Sequence, residues 1–140
     1  MPIKSFAPRS LNFDGKTILI TGGTGSFGQR FVQELLENYN PKKVIIYSRD
    51  ELKQYEMAKR FPMEKNGAIR FLIGDVRDFD RLTLAMREAN YIIHAAALKQ
   101  VPVAEYNPFE CLKTNVNGAE NIVRAALECG VEKVVALSTD

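Results

Sequence analysis

Five short runs rich in Ile, Val, Leu and Ala recur along the chain: KTILIT at 16–21, KVIIYS at 43–48, IRFLIG at 69–74, YIIHAA at 91–96 and KVVALS at 133–138. None alternates strictly between apolar and polar positions, so each predicts a strand buried on both faces. Between the runs the apolar period changes to about 3.6 residues. Phe27, Phe31 and Leu35, with Val32 and Leu36, mark one amphipathic helix, and Leu112, Val116, Ala119, Val123 and Ala126 mark another. The alternation βαβαβαβαβ with right-handed crossovers predicts a doubly wound α/β fold. Its sheet is parallel, in the strand order 3-2-1-4-5, with helices on both faces.

Helix punctuation agrees with this pattern. Asn107 before Pro108 reads as an N-cap followed by a preorganised first position, and Gly130 after Cys129 as a left-handed stop. A single helix over residues 108–129 follows. Residues 1–14 contain Pro2 and Pro8 and no sustained period, and predict an irregular extension ahead of one domain over residues 15–140.

Composition narrows the function classes. The chain has 140 residues, 46% of them hydrophobic, enough for one buried core. Its 19 Lys and Arg against 17 Asp and Glu are interspersed, without a basic block, which argues against nucleic acid. No apolar run approaches the roughly 20 residues that cross a bilayer, and no secretory segment opens the chain; a cytoplasmic protein without membrane contact is expected. Cys111 and Cys129 on one helix would lie about 27 Å apart at about 1.5 Å per residue, too far for a disulfide. His94 is the only histidine, so no metal site is expected.

The first strand runs into TGGTGSFG, with Gly22, Gly25 and Gly28. Glycine suits positive φ and close phosphate approach, and a helix starting near Ser26 would aim free N–H groups and a positive dipole end at an anion. The placement predicts a pyrophosphate cradle. At the end of the second strand an NAD domain usually carries Asp or Glu for the ribose hydroxyls, whereas this chain has Ser48 and Arg49. Together with Lys53 they suit a 2′-phosphate, favouring NADP. Ser48-Arg49-Asp50-Glu51 also reads as a capping box for the next helix, with Arg49 and Lys53 solvated. After the third strand, Asp75 can accept from an adenine amino group and Val76 can pack on the ring, while Asp78 caps a helix. After the fourth, Ala95, Ala96 and Ala97 leave room for a cofactor. Lys99 is either a charge at the switch-point crevice or a plain loop charge, and His94 reads as a satisfied core residue.

TGGTGSFG, YSRDELKQ, GDVRD, HAAALKQVPVAEYNP, KTN and the final STD resemble the extended short-chain dehydrogenase/reductases, specifically the inverting UDP-N-acetylglucosamine 4,6-dehydratases of bacterial flagellin-glycan and surface-polysaccharide synthesis. The similarity covers residues 16–140 and departs at Gln100, where the family commonly has histidine. It implies a Rossmann domain holding NADP: Thr24, Gly25, Ser26 and Phe27 on the phosphates, Ser48, Arg49 and Lys53 on the 2′-phosphate, and Asp75 and Val76 on adenine. Ala95 and Lys99 would border cofactor and substrate, and Asp140 would protonate the leaving 6-hydroxyl. It further implies oxidation at C4, loss of water across C5 and C6, hydride return to C6, and a homo-oligomer acting on UDP-N-acetylglucosamine. The family's Tyr-x-x-x-Lys pair would follow Asp140, so the 140 residues alone are expected to bind NADP without turnover, with the fifth strand an open edge prone to self-association. A non-catalytic NADP-binding module and a sugar-nucleotide epimerase of the same superfamily remain alternatives.

Overall fold

The structure, a computed structural model, describes residues 12–96, 109 and 113–137. It contains the expected sheet, five parallel strands in the order β3-β2-β1-β4-β5. The elements along the chain are β1 (Thr17–Thr21), α1 (Ser26–Asn38), β2 (Lys43–Ser48), α2 (Glu51–Arg60), β3 (Ile69–Ile73), α3 (Phe79–Met86), β4 (Tyr91–His94), α4 (Gly118–Cys129) and β5 (Lys133–Ala136).

The central strands are apolar on both faces because a helix layer covers each. Successive residues of β1 point to opposite sides. Ile18 and Ile20 join Val44 and Ile46 of β2 under Val32 and Leu35 of α1 and Met57 of α2. Leu19, Ile45 and Ile92 face the other way, onto Leu82 and Met86 of α3 and Ile122 and Ala125 of α4. Register places Ile20 between Ile46 and Ile93, so the strand ends line up on one rim. The core also reaches into the predicted extension, where Phe13 packs edge-to-face on Phe31, Tyr39 and Tyr91.

Burial on both faces fails at the edges of the sheet. Every residue of β5 is exposed, Val134 to 37% and Val135 to 40%, because β5 pairs only with β4 and none of its residues joins either core cluster. This agrees with the expectation of an open fifth strand. β3 is buried at Ile69 and 44% exposed at Ile73.

The last helix also turns a different face inward from the one its apolar period suggests. The buried positions of α4 are Gly118, Ile122, Ala125 and Ala126, whereas Val116 and Val123 are 54% and 53% exposed. A Cβ at Gly118 would come within 2.7 Å of Val76 Cγ2, and Asn121 Nδ2 donates to the carbonyl oxygens of Val76 and Arg77 at 2.9 and 3.1 Å. These two contacts set the rotation of the helix, and a sequence with two apolar stripes does not reveal which one they select. A π-helical turn, Lys113–Asn117, precedes α4. The predicted Asn107–Pro108 start, Cys111 and Leu112 lie outside the described residues. Gly130 does stop the helix, at φ +68°. Among the described residues no helix is long and apolar enough to cross a membrane.

Candidate functional site

Four strand ends meet on the rim of the sheet where its order reverses, between β1 and β4. Backbone bonds align them: Gly22 N–H donates to the Tyr47 carbonyl at 2.9 Å, Gly74 N–H to that of Ser48 at 2.9 Å, and Ala95 N–H to that of Thr21 at 3.0 Å. A crevice outside the carboxyl ends of strands at such a switch point is where open α/β sheets bind ligands.

Gly22, Gly25 and Gly28 in the loop have different reasons to be glycine. Gly22 has φ +66°, and a Cβ there would lie 2.8–2.9 Å from the backbone of Ala95 and Ala96. At Gly28 a Cβ would lie 2.3 Å from the Gly23 carbonyl oxygen. Both are required by the protein itself. Gly25 is exposed, has an ordinary φ of −75°, and its Cβ would meet nothing closer than the Gly22 carbonyl oxygen at 3.7 Å. Among the described residues no group occupies the space a side chain would fill at Gly25, which suits a close-lying ligand.

The start of α1 carries the matching electrostatics. Asp50 and Asp78 cap α2 and α3, accepting from the N–H groups of Lys53 and Arg81 at 3.0 and 3.1 Å. The N-cap of α1 is Gly25, with no side-chain cap and no acid in the first turn. Its N–H groups and positive dipole end therefore face outward uncompensated, as a pyrophosphate requires. Ser26 and Phe27 are exposed beside it, Phe27 stacked on Phe31 at 5.8 Å, and Thr24 is buried in the loop.

At the end of β2 the predicted capping box does not form. Asp50 is the cap, and Ser48 stays in the strand, 9% exposed, because Gln54 reaches back from α2. Gln54 Nε2 donates to Ser48 Oγ at 3.0 Å, to the Ser48 carbonyl at 3.2 Å and to that of Leu72 at 2.7 Å. With its oxygen accepting from Gln54, the Ser48 hydroxyl keeps its proton for an acceptor in the crevice. Gln54 was missed from the sequence, although a polar residue three positions before Met57 on the inward stripe of α2 was the available signal. Arg49 and Lys53 are exposed, the last position of β2 is Ser48 rather than a carboxylate, and Asp50 two residues on is engaged as the cap of α2.

Arg49 is oriented by Asp75 across the gap to β3, its Nη1 lying 3.7 Å from Asp75 Oδ2. Asp75 is held more tightly by Arg77, whose Nε and Nη2 donate to Oδ2 at 3.0 and 2.7 Å and whose backbone N–H donates to Oδ1 at 2.9 Å. Burial alone would raise the Asp75 pKa, but the hydrogen bonds and charge of Arg77, with Arg49 behind them, outweigh it and hold the carboxyl below its ordinary value. Val76 is 4% exposed and packed toward Gly118. Tyr47 lies under this corner, its hydroxyl donating to the Asp75 carbonyl at 2.8 Å and its pKa pushed up by burial and then by Asp78.

At the end of β4, Ala95 and Ala96 form the wall opposite Gly22. His94 is a satisfied core residue, 7% exposed, with Nδ1 2.7 Å from Thr21 Oγ1, and burial pushes its pKa down. Thus the structure gathers Gly22, Thr24, Gly25, Ser26, Phe27, Gly28, Ser48, Arg49, Lys53, Asp75, Val76, Ala95 and Ala96 along one rim. Ala97, Lys99, Gln100 and the Ser138-Thr139-Asp140 end lie outside the described residues. No cluster of three or more His, Cys, Asp or Glu able to hold a metal occurs among the described residues.

Comparison with known proteins matches this architecture. The family model described as "Polysaccharide biosynthesis protein" matches residues 18–140. A UDP-N-acetylglucosamine 4,6-dehydratase (inverting) of Campylobacter jejuni is 61% identical over 128 residues, 91% of this chain and 37% of the relative. A UDP-glucose 4-epimerase of Rickettsia bellii is 49% identical over 131 residues, 91% of this chain and 38% of the relative. The X-ray structure of Pen from Bacillus thuringiensis superposes with a TM-score of 0.84 at 40% identity, covering 90% of this chain and 38% of that one. The chain thus spans less than two fifths of the length of these relatives. With the family model spanning both the glycine loop and all five strands, the chain belongs to the polysaccharide biosynthesis protein family.

Proposed function

We propose that this chain is the NADP-binding part of a UDP-N-acetylglucosamine 4,6-dehydratase. The observation that carries the cofactor choice is the end of β2, where the Ser48 hydroxyl and the Arg49 guanidinium stand in place of a carboxylate, which would repel a 2′-phosphate. The space at Gly25 and the uncapped start of α1 fit a dinucleotide pyrophosphate. The similarity to the Campylobacter enzyme supports the substrate and reaction.

In this reading a dinucleotide held on this rim would supply a reversible hydride acceptor for oxidation at C4 of the sugar and reduction at C6, the net change being loss of one water. The residues of the chain position and exclude. The N–H groups of Ser26 and Phe27 hold the pyrophosphate, with Thr24 shaping the loop between Gly22 and Gly28. Ser48 would donate a hydrogen bond to a 2′-phosphate, and Arg49 and Lys53 would balance its charge. Asp75, kept ionised by Arg77, accepts from the adenine amino group beside Val76. Ala95 and Ala96, with their short side chains, would leave the crevice wall opposite Gly22 clear for the ring. By the family resemblance, Lys99 would border the sugar nucleotide and Asp140 would deliver the proton to the departing 6-hydroxyl.

Titration of the chain with NADPH and NADH, followed by nicotinamide fluorescence, tests the assignment. NADPH is expected to bind more tightly without turnover of the sugar nucleotide, and Arg49→Ala to weaken NADPH by about tenfold with little effect on NADH. Equal or absent binding of the two dinucleotides refutes it. The epimerase relative supports a second reading in which C4 is oxidised and reduced without loss of water. The product formed by a longer protein carrying this domain, a dehydrated 4-keto sugar or a C4 epimer, separates the two.

A further inference from the structure

The glycine loop is tied to α2 by side chains outside the binding rim. Gln29, at the start of α1, donates from Nε2 to the Thr24 carbonyl at 3.0 Å. Its Oε1 accepts from Arg60 Nη1 at 2.9 Å. Arg60 is the last residue of α2, and its Nη2 donates to Gln33 Oε1 at 3.0 Å while its guanidinium lies 5.0 Å from the Phe61 ring centroid. A guanidinium can only donate, so the Gln29 oxygen must face Arg60 and its NH2 must face the loop. A flipped amide would set NH2 against the cation and carbonyl against carbonyl.

The carbonyl held in this way belongs to the peptide that enters Gly25, whose own N–H donates to the Gly22 carbonyl at 3.3 Å. Gln29 therefore bears on the peptide that leads into the uncapped start of α1. The other end of α2 carries Lys53, and a groove of about 300 Å³ lined by Thr24, Gln29, Lys53, Glu56, Met57 and Arg60 runs between the two helices. We infer that Gln29 is a positioning residue of the phosphate loop, oriented by Arg60, so that the pyrophosphate site on α1 depends on a cation at the far end of α2. Its effect on binding rests on the dinucleotide reading above; its effect on the loop does not.

Gln29→Met keeps side-chain length and helix propensity while removing both hydrogen bonds. The variant is expected to bind NADPH about fivefold more weakly, the size of a neutral hydrogen bond. Adenosine 2′-monophosphate, which lacks the pyrophosphate, is expected to bind as before. Arg60→Met should weaken NADPH in the same direction, and Arg60→Lys, which restores a donor to Gln29, should recover it. In the ligand-free chain, amide hydrogen exchange at Gly25 should speed up in Gln29→Met while the amides of Ile18–Ile20 keep their protection. Unchanged NADPH affinity in a chain that binds NADPH, or equal weakening of both ligands, overturns the inference. If the wild-type chain binds neither ligand, the cofactor reading fails and the exchange measurement decides: faster exchange confined to the loop supports the positioning role, and unchanged exchange overturns it.

Discussion

Three single glycine-to-alanine changes in one loop should separate folding from binding. At Gly22 the left-handed φ of +66° costs an L-residue about 1–2 kcal/mol. The backbone of Ala95 and Ala96 at 2.8–2.9 Å adds an overpacking cost of about 1–3 kcal/mol. At Gly28 the gap is 2.3 Å to the Gly23 oxygen, about 1 Å short of the ordinary contact distance of about 3.5 Å. Helix α1 must then shift off the loop at a cost of about 3 kcal/mol, less about 1 kcal/mol returned by the better helix propensity of alanine. At Gly25 the nearest atom is 3.7 Å away and φ is −75°, so alanine fits. The loss of a glycine cap and the gain from a stiffer unfolded chain are each below about 1 kcal/mol and opposite in sign. With about 4 °C per kcal/mol for a domain of this size, Gly22→Ala should lower Tm by about 8–20 °C, Gly28→Ala by about 8 °C, and Gly25→Ala by less than about 4 °C. Circular dichroism measures the melting, and nicotinamide fluorescence measures NADPH binding on the same samples. Gly25→Ala should melt like the wild type and bind at least tenfold more weakly, since its methyl would enter the space proposed for the phosphate. Melting of Gly25→Ala as low as Gly22→Ala, or undiminished NADPH binding, would refute the division of roles.

Other expectations follow from the same contacts. Gln54→Leu leaves Ser48 Oγ and the carbonyls of Ser48 and Leu72 without their shared donor, and should cost about 1–3 kcal/mol in chemical denaturation; a variant as stable as the wild type would show that water replaces the amide freely. Because burial holds the His94 pKa below its unfolded value of 6.5, its contribution to stability is complete above that pH and is lost as the pH falls from 6.5 toward the folded value. Tm should therefore drop on acidification through this window, and His94→Gln should remove that part of the pH dependence; an identical pH profile in the variant would contradict the assignment. The Arg49→Ala change should lower the preference for NADPH over NADH without moving Tm, because the side chain is half exposed and its contact with Asp75 is 3.7 Å long.

Local chemistry written within a few residues determined a large part of this protein. Period and punctuation place the five strands, the glycine loop between β1 and α1, the stop at Gly130 and the cap at Asp78, because each depends on residues a turn or two away. The sheet order follows from the handedness of the crossovers. Tertiary structure decided what depends on approach between distant segments. The inward face of α4 is chosen by Gly118 against Val76, more than forty residues earlier, and by Asn121 on the adjoining carbonyls. Ser48 is held in β2 by a glutamine on the next helix, which leaves the cap to Asp50. Gly22, Gly25 and Gly28 look alike in TGGTGSFG, yet Gly22 and Gly28 answer to backbone packed beside them and Gly25 faces open space. Strand burial follows the number of covered sides, so the apolar residues of β1 are fully buried and those of β5 exposed. In each case the deciding atom lies on another element, and its distance is set by how the layers pack.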